Sequence, residues 1–203
     1  LVGYWRNNVL TSAGTWEDLS TNDNHGTVTS LDGDTVFFQE GITANLDSQG
    51  MNTTIDHTGS NGAVYFDGVA DYINLPNSFW DDNIEGEFTY MAWFKPSDLS
   101  AAVYPSGGGS LHFFRIDSTS AVSFRLEGTD NAFTGLDTIN ANAWTHIAIT
   151  RNSADLITVY INGSAQTDTE TCADKFLAMR WIGTHTGSSN FYKGWIDEFM
   201  VYN

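Results

Sequence analysis

Apolar and polar residues alternate with a period of two along most of this chain. The alternating runs are short and lie between clusters of Gly, Asn, Asp and Ser, which are turn-forming residues. The pattern predicts β-strands over 63–66, 72–75, 88–95, 111–116, 121–126, 144–151, 157–161 and 195–202. Helical periodicity is weak, and one or two helical turns are expected only over 173–179. No repeat, linker or low-complexity segment interrupts the chain, so we expect a single domain over 1–203.

The clearest strand signal ends in a hairpin turn. Apolar and polar positions alternate strictly from residue 157 to residue 161, and one face is formed by Ile157, Val159 and Ile161. Asn162 and Gly163 then provide the positive backbone dihedrals that a two-residue hairpin turn requires. Because similar strands recur every ~8–12 residues with turn signals between them, the sequence predicts an antiparallel all-β sandwich or barrel.

The charge of the chain excludes several classes of partner. Eight Lys and Arg oppose 25 Asp and Glu, which gives a formal net charge of −17. Nucleic acid and anionic membrane surfaces need a basic stripe, so neither is expected as a partner. No apolar run of about 18 residues is present, so no segment is predicted to cross a membrane. A strongly acidic surface repels itself less in salt, and this favours a saline extracellular setting.

Seven segments carry a family resemblance because they occur in a characteristic order. They are Leu1–Trp5, Asp18–Gly26, Ala63–Leu75, Phe88–Pro96, Trp144–Thr150, Tyr160–Gly163 and Gly194–Tyr202. Together they resemble the laminin-G-like jelly roll of the concanavalin-A-like lectin and glucanase superfamily. The resemblance implies a sandwich of two antiparallel sheets. Since the superfamily contains enzymes, lectins and structural modules, the fold alone does not determine the function.

The opening residues carry a narrower resemblance. Gly3–Asn7, followed by Glu40-Gly41 ahead of the strand that contains Phe66-Asp67-Gly68, is similar to modules of marine bacteriophage virion proteins. This resemblance implies display on a virion or another extracellular surface.

The acidic residues do not form a glycosidase motif. Glycoside hydrolysis needs two carboxyl groups that flank one bond. Laminarinase-type relatives place them on one strand as Glu-x-Asp-x-x-Glu, and no segment of this chain matches that spacing. The nearest clusters, Glu17-Asp18 and Asp197-Glu198, are adjacent pairs, and adjacent side chains point to opposite faces of a strand. The sequence therefore favours a non-catalytic protein.

Asp197 is a candidate metal ligand on the last predicted strand. Strict alternation places it on the same face as Trp195, Phe199 and Val201. A buried carboxylate needs hydrogen-bond donors or a cation. Related sandwiches often satisfy the equivalent position with a structural Ca²⁺, which is also bound by oxygens of the N-terminal segment.

In this chain that N-terminal segment would supply Asp18, Asn22 and Asn24. Oxygen-bearing side chains recur there at every second position, and hard oxygen ligands on a flexible turn suit calcium. The alternative is that residues 18–26 form a turn rich in Asp and Asn, and that Asp197 accepts backbone N–H groups.

A ligand-binding face is a third kind of candidate site. Sugar recognition uses aromatic rings with polar side chains nearby. Candidates of both kinds are Trp181, His185 and Tyr192 around the loop 183–194, and His112, Arg115 and Arg125 on predicted strands. An arginine on a strand among apolar residues needs an acidic partner or a ligand. The alternatives are that the histidines are satisfied strand residues and that the arginines form internal ion pairs.

These observations lead to three hypotheses for the function. The first is a non-catalytic recognition module on an extracellular or virion surface that binds cell-surface glycans. The second is a structural decoration or fibre domain that docks on other virion or surface protein subunits. The third is a glycan-cleaving enzyme.

Overall fold

The computed structural model describes residues 3–10, 15–30, 38–40, 62–76, 84–119, 121–134, 137–173 and 177–203. Within these ranges the chain forms strands, bridges, turns and bends, and contains no helix. No helix long and apolar enough to cross a bilayer is therefore found in the described part of the chain.

Sixteen strands are present in these ranges. They are β1 (Gly3–Leu10), β2 (Thr15–Asp18), β3 (Gly26–Ser30), β4 (Phe38–Glu40), β5 (Gly62–Asp67), β6 (Asp71–Asn74), β7 (Phe88–Pro96), β8 (Val103–Gly107), β9 (Phe113–Ile116), β10 (Val122–Leu126), β11 (Thr129–Phe133), β12 (Thr145–Arg151), β13 (Leu156–Ile161), β14 (Ser164–Thr171), β15 (Trp181–Ile182) and β16 (Lys193–Tyr202). All of the ladders between them are antiparallel.

The ladders form two layers. In one layer the order is β11-β10-β9-β8-β15-β6-β3, and in the other β14-β13-β12-β7-β16, with β1 and β5 both paired to β16. Strand β2 pairs with β1 and β3 and so links the two layers.

Aromatic rings pack across the space between the layers. The ring of Tyr90 on β7 lies 5.6 Å from that of Phe114 and 5.5 Å from that of Phe124, and the rings of Phe94 and Phe114 are 5.2 Å apart. Since β7 is not hydrogen-bonded to β9 or β10, these contacts cross the inter-layer space. The predicted two-sheet antiparallel sandwich is confirmed.

The hairpin between β13 and β14 follows the prediction. Ile157, Val159 and Ile161 are buried, and Asn162 and Gly163 have φ values of 49° and 82°. Both positive dihedrals are those of the predicted two-residue turn. The turn is also tied to the neighbouring strand, because the Asn162 side chain accepts a hydrogen bond of 3.0 Å from the backbone of His146.

Strict alternation on the last strand breaks at Glu198. The register of β16 against β7 shifts between Asp197 and Met200, and Glu198 has a φ of 46°. Such a bulge adds one residue to a strand and moves the following side chains to the other face. Ahead of the bulge, Trp195 and Asp197 lie opposite Lys95 and Trp93, on the face of β7 that points away from the core, and Ile196 is buried. After the bulge, Phe199 and Val201 face the core.

Two other segments differ from their predictions. The strand expected from Leu111 begins only at Phe113, and Leu111 is an exposed turn residue. The helical turn expected over 173–179 lies partly outside the described residues, and Leu177 forms a β-bridge with Ile84.

Candidate functional site: a cationic aromatic cluster

Strand pairing places two arginines on the outer face of one layer. On β9, Phe114 and Ile116 point into the core, so Phe113 and Arg115 point outward. The register of β9 with β10 sets Arg125 directly opposite Phe113 and Ser123 opposite Arg115. The two arginines therefore lie on the same surface, on neighbouring strands.

Five side chains on this surface form what we call the Phe113 cluster: Tyr104, Phe113, Arg115, Arg125 and His185. The imidazole of His185 stacks on the Tyr104 ring at 4.7 Å and 14°, and its edge meets the Phe113 ring at 5.3 Å and 89°. The guanidinium carbons of Arg115 and Arg125 lie 5.5 Å and 5.0 Å from the centre of the Phe113 ring. These are the distances of aromatic stacking and of cation–π contacts.

A glycine allows His185 to reach the cluster. His185 lies on the loop that follows β15, and the backbone of that loop packs directly on Gly107 of β8. A Cβ atom on Gly107 would overlap the carbonyl oxygen of His185 and lie 2.6 Å from its Cα atom. The loop is also bonded to its surroundings, because Gly109 N–H donates to the His185 carbonyl at 3.3 Å.

Hydrogen bonds hold both guanidinium groups at the cluster. Arg115 Nη2 donates to Ser123 Oγ at 2.9 Å, and Arg125 Nη1 donates to the carbonyl of Ser110 at 2.9 Å. Burial lowers the pKa of His185, and the positive charges of Arg125 and Arg115 lower it further, although the backbone of Gly109 opposes the shift. The His185 imidazole is therefore neutral at pH 7, beside two cations.

His112 does not belong to this surface. It is 4% exposed, and its Nδ1 atom accepts a hydrogen bond of 3.4 Å from the backbone of Glu127. Burial lowers the pKa of His112 to about 4, with Arg180 adding to the shift and Glu127 opposing it. His112 therefore does not fit the prediction of a ligand residue. It fits the alternative interpretation of a buried histidine at a strand end, with one ring nitrogen hydrogen-bonded within the protein.

Tyr192 is a core residue, so its assignment as a ligand residue is wrong. It is 0% exposed, it packs edge-on against Phe66, and its hydroxyl donates to the Trp195 carbonyl at 3.3 Å. Trp181 is half-buried and lies against Gly187 of the same loop that carries His185. The structure thus brings Arg115, Arg125 and His185 together, leaves Trp181 beside their loop, and separates His112 and Tyr192 from them.

The carboxylate of Asp18 organises the turn after β2. Its Oδ1 atom accepts hydrogen bonds from the backbone of Tyr4 (2.7 Å) and of Ser20 (2.8 Å). Its Oδ2 atom accepts from Ser20 Oγ (2.7 Å) and from the backbone of Asn24 (2.9 Å). A carboxylate has about four acceptor positions, and protein donors occupy all of them. Asp18 therefore does not fit a calcium ligand in this arrangement and fits the alternative of an Asp- and Asn-rich turn.

The other calcium candidates differ in their exposure. Asn22 is exposed whereas Asn24 is buried. Asp197 is 0% exposed, and its Oδ1 atom accepts a hydrogen bond of 2.7 Å from the backbone of Glu198. Among the described residues, no three His, Cys, Asp or Glu side chains form a group that could hold a metal. Calcium binding at Asp197 stays a prediction.

Sequence comparison identifies the family of this sandwich. Residues 66–203 match a laminin-G family model described as part of the concanavalin A-like lectin/glucanases superfamily. The chain belongs to this family. Comparison with curated protein sequences gives no match.

Solved structures share the fold of this laminin-G-type domain. The binding domain of Paraclostridial Mosquitocidal Protein 1 aligns with a TM-score of 0.66 and 17% identity over 100% of this chain and 48% of its own. The botulinum neurotoxin serotype D binding domain aligns with a TM-score of 0.61 and 16% identity, over 99% and 47%. A candidate carbohydrate-binding protein from Bacteroides ovatus aligns with a TM-score of 0.56 and 17% identity, over 74% and 49%. The laminin-G-type chain thus aligns with about half the length of each structure.

The opposite layer of this laminin-G-type domain carries an outward aromatic group that the sequence analysis missed. Tyr65 and Trp195 pack with ring centres 4.8 Å apart, and Trp93 and His146 with centres 5.2 Å apart. The two pairs lie on neighbouring strands, β5 with β16 and β7 with β12. The bulge in β16 concealed this group, because strict alternation had assigned Trp195 to the core.

Proposed function

We propose that this chain is a non-catalytic recognition module that binds glycans through the Phe113 cluster. The observation that carries the proposal is the convergence of Arg115, Arg125 and His185 around two aromatic rings on the outer face of a rigid sheet. The half-buried Tyr104 ring can stack on a sugar ring, and the neighbouring polar groups can bond to sugar hydroxyl or acidic groups; Phe113, which is 4% exposed, supports these groups from beneath. The site thus has the chemical composition of a glycan-binding surface.

The chemistry of the cluster supports binding without catalysis. Its side chains are two guanidinium groups, one imidazole and two aromatic rings, and none of them can act as the carboxyl pair of glycoside hydrolysis. The acid pairs Glu17-Asp18 and Asp197-Glu198 do not replace them. Asp18 is 4% exposed and Asp197 is 0% exposed, so neither carboxylate is open to a bound sugar.

Two relatives support a recognition role by their descriptions. The mosquitocidal protein fragment is described as a binding domain, and the Bacteroides ovatus protein as a candidate for carbohydrate binding. Display on a virion or another extracellular surface remains part of this proposal, and it is supported by the net charge of −17.

Docking on other protein subunits is the competing proposal. A docking surface usually presents a continuous apolar patch. The exposed large apolar residues of the described chain are Leu19, Val69 and Leu111, and each lies in a different turn. This distribution favours a polar ligand over a protein partner.

A glycan array probed with the fluorescently labelled chain tests the glycan proposal. We expect binding to at least one glycan class, loss of that binding on Arg125→Ala, and retention on Trp93→Ala in the opposite layer. Loss on Trp93→Ala alone would assign binding to the outer aromatic group of the opposite layer. Absence of binding to every glycan by the folded chain would contradict the proposal, and release of reducing ends would contradict the non-catalytic assignment.

A further inference from the structure

We infer that the Phe113 cluster selects an anionic saccharide, one that carries sulfate or carboxylate groups, and this inference rests on the proposed glycan-binding function. The first argument is the distribution of charge. The chain has only five Arg and three Lys against 25 acids, yet two of these eight cations contact the same aromatic ring. A third, Arg180, lies 6.0 Å from the Trp181 ring on the adjoining strand end.

The second argument is that, in the described part of the chain, the side chain of Arg115 hydrogen-bonds to a hydroxyl and not to a carboxylate. Its polar partner is the hydroxyl of Ser123, which carries no charge. Asp117 interacts with Arg115 electrostatically: burial raises the pKa of the Asp117 carboxyl, but hydrogen bonds from Thr119 and Ala121 and the charge of Arg115 lower it overall. The Asp117 carboxylate accepts hydrogen bonds from Thr119 and Ala121 in its own turn, whereas the Arg115 guanidinium donates to Ser123.

The third argument comes from donors that lack acceptors. Arg115 Nε and His185 Nε2 are buried and have no hydrogen-bond partner. His185 Nδ1 lies 3.3 Å from the side-chain amide nitrogen of Asn190, and a neutral imidazole that accepts there carries its proton on Nε2. Both of the groups without partners are then N–H donors beside the same Phe113 ring. A buried donor without an acceptor raises the free energy of the folded state.

An anionic oxygen is the ligand atom that satisfies these features together. Sulfate and carboxylate oxygens accept hydrogen bonds from guanidinium and imidazole N–H groups, and their negative charge is opposite to that of Arg115 and Arg125. The sugar ring that bears the anion can stack on the half-buried Tyr104 ring, since Phe113 is only 4% exposed. A small rotation of the Arg115 side chain would open its Nε edge, since the residue is itself only half-buried. A neutral sugar could accept hydrogen bonds from the two donors but would offer no negative charge to Arg115.

The experiment compares polysaccharides that share one backbone. Binding of the chain to dextran, carboxymethyl-dextran and dextran sulfate is measured by biolayer interferometry at low and at physiological salt. We expect binding to one or both charged polymers, no binding to dextran, and weaker binding as salt increases. The carboxymethyl and sulfate arms identify which anion is preferred.

Matched variants distinguish a built site from general charge attraction. Arg115→Gln and Arg125→Gln each remove one positive charge from the cluster, and Lys193→Gln removes one from an exposed position on β16 in the opposite layer. We expect about tenfold weaker binding or more for each arginine variant and an unchanged affinity for the lysine variant. An equal loss in all three variants would overturn the inference, because it would indicate attraction without a site.

The outcomes also separate this inference from the function on which it rests. Binding to a neutral glycan that depends on Arg125 but is indifferent to sulfate and carboxylate would leave glycan recognition in place and overturn the anionic preference. Binding to no polysaccharide and to no glycan on an array would overturn both. Circular dichroism spectra and melting temperatures close to those of the wild type establish that each variant is folded before its affinity is compared.

Discussion

Replacing Gly107 with alanine should displace His185 from the Phe113 cluster. The added Cβ would lie 2.6 Å from both the Cα and the carbonyl carbon of His185, and it would overlap the carbonyl oxygen. These are backbone atoms, so no side-chain rotation can relieve the contact. The φ angle of Gly107 is not positive, and therefore the substitution acts through steric overlap alone.

The size of the effect follows from the overlap. Ordinary contact begins near 3.4 Å, so the loop that carries His185 must retreat by about 1 Å, and such overpacking costs about 1–3 kcal/mol of unfolding free energy. The His185 ring then loses its parallel contact with Tyr104, which now holds the two centres at 4.7 Å. Because burial and the two arginines lower the pKa of His185, moving the ring toward water should raise that pKa toward its ordinary value.

The assay is an NMR titration of the five histidines, with His185 assigned by its loss in His185→Gln. We expect a higher His185 pKa and smaller ring-current shifts in Gly107→Ala. Gly163→Ala, in the hairpin of the opposite layer, is the matched control: its φ of 82° strains an alanine, yet a Cβ there meets nothing within 4 Å. It should cost about 1–2 kcal/mol of stability through backbone strain while leaving the His185 signals unchanged. The reasoning is refuted if Gly107→Ala folds with an unchanged His185 pKa and unchanged ring-current shifts.

Three further predictions concern stability. Burial lowers the pKa of His112 to about 4 in the folded chain. The free energy of unfolding is therefore highest above the unfolded-state pKa of about 6.5 and falls by up to about 3 kcal/mol as the pH decreases toward 4. Urea titrations should show a smaller pH dependence in His112→Gln, and an equal dependence in both proteins would contradict this prediction. Tyr90→Phe removes the 2.9 Å bond to Ser106 Oγ inside the core and should cost about 1 kcal/mol in chemical denaturation, with no measurable loss as the contrary result. If Asp197 binds calcium, a chelator should lower the melting temperature of the wild type but not of Asp197→Asn, and identical wild-type melting with and without chelator would remove calcium from the account.

Strand positions were predictable because local alternation determines them. The runs at 88–95, 144–151 and 157–161 differ from the observed strands by one residue at an end. In each of them every second side chain faces a common core. The missed strands lack such a signal, as β14 shows: its side chains are almost all exposed, so no apolar period marks it.

The same rule fails where the backbone inserts an extra residue. Counting by twos along β16 put Trp195 on the same face as Phe199 and Val201, whereas the bulge at Glu198 separates it from them. The positive φ of a glutamate has no sequence signature, because glutamate does not favour that conformation. Because this one dihedral cannot be predicted from the sequence, the outward position of Trp195 and its contact with Tyr65 were missed.

The candidate site shows the same division between local and distant causes. Arg115 and Arg125 were predictable because strand periodicity fixes the face on which each lies, and their charges make a core position costly. The position of Tyr192 was not predictable, because Tyr192 lies in a loop and no strand period fixes its face. An aromatic ring in a loop can be buried either in the core or by a bound ligand. The role of Gly107 is the least local of all. Its neighbours in sequence mark only a glycine-rich turn, and the reason for its missing side chain is the backbone of His185, which a different part of the chain delivers. Gly107→Ala should therefore move the His185 imidazole and leave Arg115 and Arg125 in place. That result would show that strand periodicity determines the positions of the arginines, whereas only the tertiary fold determines the position of the imidazole.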